Sequence, residues 1–285
     1  MADRLTLQPH DKDLGGGFVV RRLLPAAARQ AVGPFLFFDH FGPVTATPAD
    51  NHDVRPHPHI GLATVTYLFE GAMLHRDSIG AVQRIEPGAI NWMTAGRGIV
   101  HSERTPDDLR ATTRRTHGLQ LWSALPVEDE ELAPSFVHTP AAAIPAFEAD
   151  GAGVRVLIGE AYGLRSPVAT RSPTLYLDIA LRAGARLALP PAAERALYAV
   201  DAPFTLDAKV QPARQMVLLQ PGEQPLLGAT GDARVVLIGG EPLGRRVMAW
   251  NFVSSRKERI EQAKDDWRAR RFDPVPGETE FIPLP

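Results

Sequence analysis

The chain has 285 residues, with 31 Lys and Arg against 33 Asp and Glu, a formal net charge of −2. That length suits one large or two medium domains, and the near-neutral balance gives no basic surplus for direct nucleic-acid binding. Cysteine is absent, which excludes disulfides, thiolate metal sites and cysteine nucleophiles. The first residues carry an early acid and no apolar core. No apolar run approaches the ~20 residues of a membrane helix, so no membrane contact and a cytoplasmic location are expected.

In chain order, Gly and Pro punctuate short runs of branched residues. Ala63–Phe69, Val154–Ile158, Thr174–Ile179, Gln215–Leu219 and Arg234–Ile238 each end at a turn signal. Such runs predict an all-β protein of sandwich or barrel type. Pro134, Pro140 and Pro145 bracket an Ala-rich stretch that reads as a linker, dividing the chain into domains 1–134 and 146–285. Residues 254–271 break the β pattern. Ile260, Ala263 and Trp267 fall on one helical face, and Ser255 with Glu258 has the spacing of a capping box.

None of the nine histidines lies beyond His138, so histidine chemistry belongs to the first domain. His57-Pro58-His59 and His101-Ser102-Glu103 each place two ligand types one residue apart. On an extended strand, residues i and i+2 share a face. Each pair alone also fits a surface turn or strand edge. Together, on neighbouring strands, they would converge three imidazoles and a carboxylate suited to one divalent metal such as Fe, Ni, Co, Mn, Cu or Zn. By the same parity Glu70 faces away; His75 and Asp77, past the Glu70-Gly71 turn, could reach the pocket from the returning strand, with the surface the preferred reading. His117, Gln120 and Trp122 read as core packing beside the pocket.

Several blocks resemble the pirin family of the cupin superfamily: Phe35–Phe41, His57–Gly61 with Thr64–Gly71, Trp92–Glu103, Gly118–Trp122, Gly239–Leu243 and Trp250–Val253. The resemblance implies a two-domain bicupin, two β-barrels or jelly rolls with a C-terminal α-helix. It implies one metal, usually Fe(II), in the first domain, on His57, His59, His101 and Glu103. The second domain, lacking histidine, would be a degenerate cupin carrying the helix. Family members are linked to quercetin 2,3-dioxygenase activity, with a flavonol-like substrate, dioxygen and Glu103 as catalytic base. They are linked also to regulation through protein partners, so a non-catalytic metal- or redox-responsive role is the alternative. Ile60 stands where many relatives carry Arg, and should leave the metal's surroundings less charged.

Overall fold

The computed structural model describes residues 4–15 and 17–285. It is 49% strand and 8% helical, in keeping with the all-β expectation. No helix among the described residues is long and apolar enough to cross a membrane.

The chain divides into two compact units. One comprises residues 11–21, 38–141 and 243–285; the other comprises residues up to His10, 22–37 and 142–242. The units are therefore not consecutive stretches. The terminal helix, expected with residues 146–285, belongs to the unit that carries the histidine motifs.

A seven-stranded sheet drawn mainly from that unit runs in the order Ser135–Thr139, Ile90–Thr94, Leu62–Glu70, Arg114–Ala124, Phe35–Ala46, Val19–Leu24, His10–Asp13. A four-stranded sheet runs Val54–His59, Ile99–Arg104, Met73–Asp77, Val82–Ile85. Val54–His59 is an edge strand, which is why Pro56 and Pro58 are tolerated there. Part of the expected linker is itself a strand: Ser135–Thr139 pairs antiparallel with Ile90–Thr94. Its Phe136 and Val137 carry the β propensity that the flanking prolines conceal.

The second unit repeats the plan. Its seven-stranded sheet runs Thr6–Leu7, Met216–Leu218, Glu194–Ala199, Ala233–Gly240, Thr174–Leu181, Ala152–Ile158, Ala146–Ala149. Its four-stranded sheet runs Arg186–Ala188, Leu226–Gly228, Phe204–Leu206, Lys209–Gln211. Inward residues of both sheets, among them Leu177, Leu237, Leu187, Phe204 and Leu227, form one apolar cluster. The two-barrel bicupin architecture is thus present.

The helix is Lys257–Arg268, shorter at both ends than its pattern suggests. Ile260, Ala263 and Trp267 are buried as the 3.6-residue period requires, and pack with Ile60, Val100 and Phe252. The capping box does not form: Arg256 is the N-cap residue and its side chain makes no capping hydrogen bond. Instead Ser254 Oγ and Ser255 Oγ donate to Glu130 at 2.9 and 3.0 Å, and the Ser255 amide also donates to it. Glu130 is buried and paired with Arg246 at 2.8 Å, so a long-range carboxylate has captured the serines that local spacing assigned to the helix. Ile60 also differs from expectation. It lies in the cluster beneath the helix, its carbonyl accepting from the Val253 amide, rather than beside the histidines. The close approach needs Gly61 next to it, at φ +67°, where a Cβ would lie 2.0 Å from the Val253 carbonyl oxygen.

Candidate metal centre

Strands Val54–His59 and Ile99–Arg104 are antiparallel neighbours, with His101 opposite His57 and Ile99 opposite His59. Alternation puts all three histidines on one face. One ring nitrogen from each of His57, His59 and His101 lies within 4.8 Å of the others, and all three residues are buried. His59 Nε2 and His101 Nε2 are 3.1 Å apart. That spacing lets both approach one ion at bond lengths of ~2.0–2.1 Å. His57 Nδ1 donates to the Arg55 carbonyl at 2.8 Å, which fixes its tautomer and leaves Nε2 as the free lone pair. The Nδ1 atom of His101 is buried without a hydrogen-bond partner among the described residues, while the backbone of Asn251 reaches the His59 ring.

Burial sets the charge state. Desolvation lowers His57 to about 4. His59 and His101 lie well below the usual imidazole range, by desolvation first and then by repulsion from the neighbouring rings. Three neutral, converging imidazoles are a donor set that could hold a borderline divalent cation.

Glu103 lies outside that 4.8 Å cluster. It is two residues beyond His101 on the same strand. The pairing with Val54–His59 shifts register between them, a bulge of the kind that re-aims a side chain. Burial alone raises its carboxyl to about 7. It also lines a small pocket with Phe18, His52, Met73 and Arg114.

Two residues expected at the surface are in the site. The strand Met73–Asp77 pairs with Ile99–Arg104 on its other side, setting His75 opposite Glu103 and Asp77 opposite His101. Both are buried. His75 Nε2 donates to Asp77 Oδ2 at 2.9 Å, and Asp77 Oδ1 accepts the amides of Ile79 and Ala81 at 3.1 and 2.9 Å. The His75 ring stacks on Phe136 at 4.2 Å and lies 5.3 Å from that of His101. The signal was present, since His75-x-Asp77 has the same i, i+2 spacing as the motifs that were recognised.

Trp122, from the seven-stranded sheet, meets His59 edge-on at 5.1 Å, so the histidines lie between the two sheets. Gln120 accepts from Thr66 Oγ1 at 2.9 Å. His117 pairs with His40, Nε2 to Nε2 at 2.7 Å. Glu70 forms an exposed ion pair with Arg115, away from the histidines as parity requires.

Known proteins are similar to this chain along most of its length. The Pirin family profile matches residues 17–123, and that of the Pirin C-terminal cupin domain matches residues 176–273. A pirin-like protein of Caulobacter vibrioides is 47% identical over 286 residues, covering 99% of each chain. A Pseudomonas aeruginosa protein provisionally named quercetin 2,3-dioxygenase is 38% identical, covering 93% of this chain and 85% of its own. The crystal structure of quercetin 2,3-dioxygenase from Acinetobacter baumannii superposes with a TM-score of 0.92 at 34% identity, covering 99% of this chain and 95% of that one. With both domains matched, and likeness extending along nearly the whole length, the chain belongs to the pirin family.

Proposed function

We propose that this protein is a metal-dependent dioxygenase that opens the heterocycle of flavonol-like substrates. His57, His59, His101 and Glu103 would be the ligands of one divalent ion, Fe(II) in the first instance. The observation that carries the reading is the cluster of three neutral, buried imidazoles beside a carboxylate poised near neutrality. The quercetin 2,3-dioxygenase names of relatives supply the substrate class. When bound, the metal supplies Lewis-acid stabilisation of negative charge and a common template for substrate and dioxygen.

The chain's own residues supply the rest. The depressed imidazole pKa values keep lone pairs available at neutral pH. Glu103, raised to about 7 by burial before any ion binds, would be held as the anion once it is a ligand, and would take the proton of the flavonol 3-hydroxyl on an oxygen it does not give to the ion. Asp77, anchored by two backbone amides, orients His75 against His101. Trp122 and Phe136 wall the histidines with aromatic surface and exclude water.

The test is anaerobic loading with Fe(II), Ni, Co, Mn or Cu, followed by quercetin and oxygen. Oxygen uptake with stoichiometric carbon monoxide release is expected from at least one form. Tight metal uptake with every form silent towards flavonols would overturn the dioxygenase reading in favour of a metal- or redox-responsive protein acting through partners.

A further inference from the structure

The contacts of the segment after the helix with the metal-site strands fall at alternate positions. The Ile282 amide donates to the Pro56 carbonyl at 2.8 Å, which covers the free edge of Val54–His59. Arg76 Nη2 donates to the Pro276 carbonyl at 3.0 Å. Phe272 lies against Gly98, where a Cβ would be 2.8 Å from its ring, and Val275 and Phe281 pack with Val100. Glu278 accepts from Ser102 Oγ at 2.5 Å and from Arg104, through Nε at 3.2 Å and through Nη2. Residues 56, 76, 98, 100, 102 and 104 thus face the tail. Residues 57, 59, 75, 77, 101 and 103 face the site. The Glu278 side chain is 6% exposed, so its charge is committed to this contact rather than to water.

We propose that Glu278 is a positioning residue for the metal centre. By gripping Ser102 and Arg104 from outside the sheet, it fixes where Glu103 between them, and His101 before them, point on the inside. The pairing with Val54–His59 shifts register between His101 and Glu103, whereas that with Met73–Asp77 runs unbroken, so an external clamp adds restraint where one of the two ladders is interrupted. The inference rests on the metal reading above. The ligands come from residues 57–103, and the clamp is supplied from the last eight residues of the chain.

The test uses Co(II) as probe, read by competition with a chelator and by its visible spectrum. Thermal unfolding of the metal-free chain is measured in parallel. Glu278→Gln and Ser102→Ala should each weaken Co(II) binding by ~10–100-fold, the usual effect of losing a ligand's supporting contact, and shift the absorption bands. Arg270→Ala removes the cation–π contact on Phe281 without touching Glu278, and should keep the wild-type affinity and spectrum. Wild-type affinity and spectrum in both clamp variants would overturn the proposal while leaving the metal site standing. So would losses that simply track each variant's fall in thermal midpoint, Arg270→Ala included. Failure of the unmutated protein to take up Co(II) would overturn the metal reading and the clamp together.

Discussion

Both units pair a seven-stranded sheet with a four-stranded one, and they differ in what lies between the sheets. In the unit of residues 142–242 the space is filled by Leu177, Leu197, Leu237, Leu187, Phe204 and Leu227. In the other, imidazoles of His57, His59, His75 and His101 occupy the inward positions of the four-stranded sheet. The same frame therefore serves two ends. Aliphatic inward positions convert buried area into stability at roughly 25 cal/mol per Å². Imidazole inward positions forgo that gain and hold lone pairs in a dry site, which is what a metal needs and what folding alone would not select.

The sharpest way to break this contrast is to remove the imidazoles. His57→Ala/His101→Ala should lose the metal completely, from about one ion per chain to none, by elemental analysis after dialysis. The fold should survive, because a core of this size does not depend on metal. Ions retained by the double variant would place the site elsewhere. Next is Glu103→Gln, which keeps the shape and removes the base. Turnover of a flavonol should fall ~10²–10⁴-fold, measured as oxygen uptake in metal-loaded protein.

The filled barrel should respond in stability instead. Leu237→Ala should cost about 2–5 kcal/mol in urea unfolding and leave metal affinity unchanged. In the histidine unit, away from the imidazoles, Glu130→Ala should likewise act on stability, costing about 3–5 kcal/mol, since it strands the buried Arg246 side chain and frees Ser254 and Ser255. Equal metal loss from Leu237→Ala would erase the division of labour between the units.

Acid should separate them further. His57 titrates at about 4 in the folded chain and near 6.5 unfolded, so the unfolded state binds more protons between these values. Its contribution is intact above pH 6.5 and lost as pH falls towards 4, about 2 kcal/mol by pH 5. Glu103 runs the opposite way: raised to about 7, its contribution is full below about 4.5 and lost as pH rises through 7. Between pH 7 and 5 these two contributions nearly cancel in metal-free protein, so Glu103→Gln should expose a loss of stability as pH falls, and adding His57→Asn should flatten that loss. The smallest effect sharpens the role of Glu103. At pH 6 it still holds its proton while His57 is neutral, so metal uptake should release about one proton from the wild type and none from Glu103→Gln. Equal release from both would remove Glu103 from the ligand set.

Local periodicity was enough for the strands, the buried face of the helix and the shared face of three clustered histidines. Strand alternation and helical turn depend only on near neighbours, so Ile260, Ala263 and Trp267, like His57, His59 and His101, could be placed from spacing. Pairing between strands is a different matter. His75 and Asp77 have the same spacing as the ligand pairs, yet only the register against Ile99–Arg104 brings them to the centre. Ile60 turns to the helix because Val253 approaches its backbone, and Ser255 leaves the helix cap because Glu130 arrives from 125 residues away. Glu278 meets Ser102 across 176 residues. A sequence states which face a residue takes on its own element. Which element covers that face is decided by tertiary packing, because burial and charge pairing act through space and carry no local period.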